Sequence, residues 1–271
     1  MRSRKSIYIA IGVLALMVLL FLLINISPST DEVETTEQEV ITEDSAPEVE
    51  ENPLVSGKFT INQLKDSVSL IENQEKRANF AHHLSAYYAN AGRLDSAAYF
   101  EGIAADGFPN EENYLKAGEE YFNAFSLATD ADKAEEYRLK SEDYLIKAIA
   151  LAPDRPEAKT LLAVLKLASD QGVAGSMLLH EVLLTNPDYA EALYNLGVYA
   201  MQSRDFSQAA TNFERILDSD TTQVRANFYL AICYQELGRT EESISLFNRV
   251  KELDSSPEVQ ANVDAYLDDI K

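Results

Sequence analysis

A repeat with a period of 34 residues is the feature that most constrains the fold of this 271-residue chain. Four columns of residues keep this period, two of them small and two of them large and apolar. They are Ala163, Gly197 and Ala231; Gly175, Ala209 and Ser243; Leu179, Phe213 and Phe247; and Val182, Ile216 and Val250. Such self-similarity is typical of arrays in which each repeat buries its apolar face only by stacking on its neighbours.

Each period predicts two helices joined by a short turn. In residues 190–223 we predict a first helix over about Tyr189–Gln202, a turn at Ser203-Arg204-Asp205 and a second helix over about Phe206–Asp218. Small residues in fixed columns let two helices approach closely, and large residues fill the grooves between their ridges. A proline at the end of a unit, such as Pro187, disfavours helix at the residue before it and separates the units.

These residues resemble the tetratricopeptide repeat (TPR) family, whose pattern includes Leu-Gly in the first helix, an alanine that opens the second helix, an aromatic residue and a final proline. The matching residues are Leu196-Gly197 with Ala209, Phe213 and Ile216; Leu230-Ala231 with Tyr234, Gly238, Ser243 and Phe247; and Leu84-Ser85 with Tyr88, Gly92, Ala97, Ala104 and Pro109. The resemblance implies an all-α, right-handed superhelical solenoid of about five units, at 78–111, 112–155, 156–189, 190–223 and 224–257.

Three segments depart from the regular units. Eleven additional residues around Phe125–Glu135 interrupt the second unit, where we expect lengthened helices and a longer turn that is either a tolerated loop or a specific contact. In unit 156–189, Gly172 and Gly175 are expected to loosen the second helix. Apolar stripes predict capping helices over 57–77, which opens with a capping-box pattern at Thr60 and Gln63, and over 258–271.

The beginning of the chain has the composition of a membrane anchor. Residues 7–26 contain no charged residue, and a helix of twenty residues is about 30 Å long, the thickness of a bilayer's hydrocarbon core. Basic residues precede this segment and acidic residues follow it. We therefore predict a cytoplasmic N-terminus over 1–6, a single transmembrane helix over 7–26 and the rest of the chain on the opposite side. The alternative is a cleaved signal peptide, for which Ser27-Pro28-Ser29 is a weak cleavage site.

Residues 27–56 have the composition of a disordered linker. The stretch Asp31–Glu51 carries ten acidic residues and neither lysine nor arginine. Such a segment buries too little apolar surface to offset the entropy of ordering it. The linker is either a solvated spacer or a negatively charged docking tail.

The charge of the chain excludes nucleic acid as a partner, and no motif indicates an enzyme. The 45 acidic residues outnumber the 23 basic ones, which repels phosphate backbones. The histidines His82, His83 and His180 lack the spacing of metal ligands. Cys233, the only cysteine, is expected to be a buried packing residue. We expect the carboxylates to be scattered over solvent faces, and we expect no catalytic residue, no cofactor and no metal site.

The TPR resemblance also implies a binding surface. In this family the first helices of the units line a concave groove, and residues two, five and nine places along each helix face a bound peptide. Carried over with the residues one turn further on, the peptide-binding candidates are Glu191, Tyr194, Val198, Gln202, Arg225, Phe228, Ile232 and Gln235. This mixture suits a segment held by a few anchors. The alternative for Tyr194 and Phe228 is that they only pack between neighbouring helices.

The expected function is that of a TPR scaffold or adaptor. It is anchored in the inner membrane by residues 7–26, with its N-terminus in the cytoplasm, and it binds protein partners near that membrane on the outer, periplasmic side. Two alternatives remain open: a self-associating structural subunit of an envelope complex, and an enzyme with a site in the groove. The sequence determines neither the partner nor the oligomeric state.

Overall fold

The computed structural model describes residues 61–270, which form twelve α-helices and no strand. The helices are α1 (Ile61–Ser69), α2 (Gln74–Asn90), α3 (Leu94–Gly107), α4 (Glu111–Leu127), α5 (Ala131–Leu151), α6 (Pro156–Leu167), α7 (Gly172–Thr185), α8 (Ala190–Gln202), α9 (Phe206–Ser219), α10 (Val224–Glu236), α11 (Thr240–Leu253) and α12 (Pro257–Ile270). Each helix contacts the helix before it and the helix after it. The predicted all-α solenoid is confirmed, and the handedness of its superhelix stays a prediction.

The helices form five A–B pairs between the two terminal helices. We call α2, α4, α6, α8 and α10 the A helices and α3, α5, α7, α9 and α11 the B helices, and we number the pairs as units 1 to 5. Besides its own B helix, α4 contacts α6 and α6 contacts α8. The A helices of units 2 to 4 therefore lie side by side.

The columns of the repeat form the contact between the A and B helices of each unit. Phe213 and Phe247 are fully buried. A Cβ atom at Gly197 would lie 2.6 Å from Cζ of Phe213, so a side chain at position 197 would require the phenyl ring to shift. Ser243 adds a hydrogen bond that its small size did not reveal, because its Oγ donates to the carbonyl oxygen of Ala231 at 2.8 Å.

The turn after an A helix has a left-handed residue in three units. The φ angle is 70° at Gly92, 60° at Arg204 and 75° at Gly238. The left-handed conformation is easiest for glycine, and Arg204 adopts it inside the turn predicted at Ser203-Arg204-Asp205. The amide of Asp205 then donates to the carbonyl of Ala200 at 2.9 Å, which closes the end of α8.

The insertion in unit 2 lengthens both helices, as predicted, but the expected longer turn is wrong. The turn between α4 and α5 has three residues, 128–130, like the turn 203–205. Asp130 begins α5 as its N-cap, with Oδ1 accepting from the amide of Lys133 at 2.9 Å. The crossing of α4 and α5 has the same hydrogen bond as the crossing of α10 and α11. The Oγ of Ser141 donates to the carbonyl of Gly118 at 2.7 Å, as the Oγ of Ser243 does to the carbonyl of Ala231. The added residues therefore extend the two helices beyond the crossing.

The second helix of unit 3 is not interrupted by its glycines. Helix α7 is continuous from Gly172 to Thr185, and Gly175 is buried at the crossing with α6. A Cβ atom at Gly175 would lie 2.6 Å from the carbonyl oxygen of Ala163. Gly175 was expected to loosen this helix. Instead, its lack of a side chain lets the backbones of α6 and α7 come into contact.

The N-terminal capping helix is shorter than the predicted span 57–77. Helix α1 ends at Ser69, and residues from Gln74 onward belong to the A helix of unit 1. Asn73 is the reason for the break, since its Oδ1 caps α2 by accepting from the amide of Lys76 at 2.9 Å. The C-terminal helix α12 buries Val259 and Val263 against unit 5.

The predictions for 1–6, 7–26 and 27–56, and for the capping box at Thr60, concern residues outside those that the structure describes. Within 61–270, no helix combines the length and the apolar character that crossing a bilayer requires.

Candidate protein-binding face

The aromatic candidate on α8 is used in packing. Tyr194 is 9% exposed, and its ring centroid lies 5.9 Å from that of Phe213 and 5.6 Å from that of Tyr229. The guanidinium carbon of Arg225 lies 3.8 Å from the centroid of the Tyr194 ring, a cation–π contact. Tyr194 and Arg225 therefore join α8 to α10.

The aromatic candidate on α10 has the equivalent contact one unit later. The ring of Phe228 lies 5.8 Å from that of Phe247, close to the 5.9 Å between Tyr194 and Phe213. It also packs on Tyr266 of α12 at 5.4 Å. Ile232 packs against the same apolar cluster. The structure thus places both aromatic candidates in contacts between helices.

The remaining candidates differ in accessibility. Glu191 and Gln202 are exposed, and Val198 and Gln235 are half-buried. Glu191 lies 4.0 Å from the guanidinium of Arg225. The two ends of α8 therefore differ, because its first turn carries this charged pair and its last residue, Gln202, carries an amide.

Exposed carboxylates of α4, α6 and α8 lie on solvent faces, as expected, but near one another. Burial and the nearby Glu112, Glu120 and Glu157 raise the pKa of Glu119. Burial, Glu157, Glu191 and Glu119 raise the pKa of Tyr189 to about 12. Carboxylates from three successive A helices therefore lie close enough to act on common neighbours.

The register of the repeat contains the signal for this gathering. Glu112, Glu157 and Glu191 each stand six residues before the small residue of their A helix, which is Gly118, Ala163 and Gly197 respectively. Arg225 has the same position in unit 5. We call Glu112, Glu157 and Glu191 the glutamate row. Arg155 lies between units 2 and 3 and pairs with Glu111, Glu112 and Glu157 at 2.5–3.4 Å.

The described part of the chain shows no arrangement of three or more His, Cys, Asp or Glu side chains that could hold a metal ion. His83 and His180 are exposed, and His82 is engaged by two other helices.

Cys233 is expected to be unreactive in the folded protein. It is fully buried, and burial together with Glu236 and Glu214 raises its pKa to about 12. Since the thiolate is the reactive form, a thiol reagent near neutral pH should label the chain only after it is unfolded in urea. A Cys233→Ala, Ser207→Cys variant, with its thiol on the exposed part of α9, should label without urea. Equal labelling rates in the two folded proteins would contradict the burial of Cys233.

Comparisons with known proteins agree with this architecture. A family model described as tetratricopeptide repeat matches residues 200–262. The chain is 33% identical over 117 residues to the human protein O-mannosyl-transferase TMTC3, in a match that covers 43% of this chain and 12% of that protein's length.

Two solved structures show the likeness of fold. MamA (41-end) from Desulfovibrio magneticus RS-1 has a TM-score of 0.52 at 16% identity, covering 66% of this chain and 96% of that one. A tetratricopeptide repeat protein from Parabacteroides merdae has a TM-score of 0.51 at 19% identity, covering 69% and 72%. The matched segment and the stacked helical pairs are both typical of tetratricopeptide repeats.

Proposed function

We propose that this chain is a membrane-anchored scaffold without enzymatic activity, which holds a protein partner against the A-helix face of units 2 to 4. The observation that carries the proposal is the glutamate row, which places an exposed carboxylate at the same position of three successive A helices, with Arg155 and Arg225 paired beside them. Oppositely charged surfaces steer association and select partners. The partner segment that fits this face carries lysine or arginine, and Val198 and Gln202 offer it apolar and amide contacts at the other end of α8.

Photo-crosslinking tests this assignment. Crosslinkers placed at Val198 and Gln202 should trap a partner in intact cells, whereas one at Asn248, exposed on α11, should not. Replacing Glu112, Glu157 and Glu191 by glutamine should abolish the crosslinks. The control replaces the exposed Glu72, Glu241 and Glu258 by glutamine, which changes the net charge equally. Crosslinks from Asn248 alone, or equal loss in the two triple variants, would contradict the proposal.

The membrane part of the proposal rests on residues 1–26, whose charge pattern supports an N-terminus in the cytoplasm and the repeats on the periplasmic side of the inner membrane. Two single-cysteine variants on a Cys233→Ser background test it. A membrane-impermeant thiol reagent should label Ser255→Cys in intact spheroplasts and should label Ser3→Cys only after lysis. Protection of Ser255→Cys would contradict the orientation. Absence of Ser3→Cys from the mature chain would show that the segment is cleaved.

Self-association is the second candidate, and helix α7 favours it. Val173, Met177 and Leu184 are 61–82% exposed on this helix, whose only charged residue is Glu181. Two chains with a net charge of −22 repel each other, so a second copy approaches most easily where charge is sparse and the surface is apolar.

Light scattering on the purified chain tests self-association. An oligomer formed through α7 should dissociate when Met177 is replaced by glutamate. Leu139→Glu, at a comparably exposed position on α5, is the matched control and should have no effect. A monomer in the unsubstituted protein at about 100 μM would exclude this candidate, because stable interfaces are populated at such concentrations.

A further inference from the structure

Unit 1 has a polar pair at the position where units 4 and 5 have an aromatic pair. His82 stands three residues before the small Ser85, as Tyr194 does before Gly197. Glu101 stands four residues after the small Ala97, as Phe213 does after Ala209. His82 Nδ1 lies 2.6 Å from Glu101 Oε1, whereas the equivalent pairs are rings in contact at 5.9 and 5.8 Å.

The contacts around His82 require a proton on Nε2 and a second proton between Nδ1 and Glu101. Asn113 of α4 donates from Nδ2 to the carbonyl of Phe108 at 2.7 Å, which leaves its Oδ1 to face His82 Nε2 at 3.3 Å. An amide oxygen only accepts, so Nε2 donates. The Glu101 carboxylate also accepts, so the proton between it and Nδ1 completes the pair, whichever of the two atoms holds it.

Burial makes this proton structurally important. Glu101 is 4% exposed, and a buried carboxylate without a partner is strongly destabilising. If the proton leaves, one ring nitrogen presents a lone pair to an acceptor on α3 or α4. The lone pair on His82 would then repel the oxygen of Glu101 or Asn113 that it now contacts.

The charged groups around the pair come from α3 and α4. The hydrogen bond with Glu101 is the largest effect on the pKa of His82 and raises it, against burial and the positive charge of Lys116. Glu120 of α4 also lies close to Glu101, because burial and then the Glu101 charge raise the pKa of Glu120. The nearest carboxylates therefore all favour keeping the proton.

We propose that unit 1 is attached to unit 2 by a proton-dependent joint, in which His82, Glu101 and Asn113 bind α2 and α3 to α4 while the His82–Glu101 pair holds its proton. Loss of the proton weakens this attachment, so that unit 1 opens from the array more often while units 2 to 5 remain folded. The joint gives the solenoid a second state that the aromatic pairs of units 4 and 5 do not have.

The sign of the pH dependence follows from linkage. The folded pKa of His82 lies above the value of about 6.5 for a free histidine. The stabilisation by the joint is therefore complete below about pH 6.5 and is lost as the pH rises through the folded pKa. A single proton changes the opening equilibrium by at most about tenfold per pH unit.

Hydrogen exchange on the full-length chain in detergent micelles measures the opening of unit 1. The amides of α2 and α3 should lose protection relative to those of α10 and α11 between about pH 6 and pH 8.5, by up to about tenfold per unit after correction for intrinsic exchange. The double variant His82→Tyr, Glu101→Phe copies the pair of unit 4 and should make the ratio independent of pH. His83→Gln, an exposed neighbour, should keep the pH dependence.

A flat ratio in the unsubstituted chain, or the same slope in the folded double variant, would overturn the proposal. If the double variant does not fold, the NMR titration of His82 in Glu101→Gln decides instead. Glutamine accepts the Nδ1 hydrogen bond without a charge, so the His82 pKa should fall towards about 6.5. An unchanged pKa would also overturn the joint.

Discussion

Replacing Phe213 by alanine is expected to lower the free energy of unfolding by about 3–5 kcal/mol, the usual cost of removing a fully buried aromatic ring. The ring is completely inaccessible. It fills the space over Gly197 and stacks on Tyr229 of the next unit at 5.7 Å. The loss therefore affects the core of unit 4 and its contact with unit 5, and chemical denaturation followed by circular dichroism measures it.

Phe108→Ala is the matched control for this prediction. Phe108 is 43% exposed at the end of α3, so its truncation removes the same atoms from a site already in contact with water. We expect a loss of about 1 kcal/mol or less there. Similar losses in the two variants would show that the ring of Phe213 is not the core contact described here.

Replacing Gly175 by valine is expected to destabilise the chain by about 3 kcal/mol, at the upper end of the usual cost of overpacking. The first added carbon would lie 2.6 Å from the carbonyl oxygen of Ala163 and 2.9 Å from the backbone nitrogen of Leu167. Both atoms belong to the backbone of α6, so the two helices must separate. The gain in helix propensity over glycine, less than about 1 kcal/mol, is too small to compensate.

Ala174→Val tests the same side chain on the neighbouring residue, which is exposed. Its expected cost is only the lower helix propensity of a β-branched residue, about 0.5 kcal/mol. Thermal unfolding of the two variants should therefore separate their midpoints clearly. Equal midpoints would mean that α6 and α7 do not cross at Gly175 as described.

The fold could be predicted because its determinants repeat. Gly197 and Phe213 recur as Ala231 and Phe247 one period later, and close packing demands the same sizes at each crossing. The length of the turn in unit 2 could not be predicted in this way. It depends on where Asp130 caps α5, and an insertion that occurs once offers no second copy for comparison.

The candidate site was less predictable than the fold. Whether Tyr194 faces a groove or a neighbouring helix depends on how far its ring reaches towards Tyr229 of the next unit. The sequence of a single repeat does not show that distance. The glutamate row and the pair of His82 with Glu101 could have been found from the sequence, because their residues occupy fixed positions of the repeat. Glu101 is a carboxylate in a column that elsewhere holds Leu or Phe, and such an exception indicates a buried polar contact.

The lengthened hairpin of α4 and α5 projects beyond the neighbouring units of the array. Helix α4 continues four residues further past its crossing than α8 does, and α5 begins seven residues earlier than α9 relative to the same crossing. At 1.5 Å per residue, the hairpin tip stands roughly 6–10 Å beyond its neighbours. The tip is therefore a feature of unit 2 alone, and it makes the two ends of the otherwise repetitive array distinguishable along that edge.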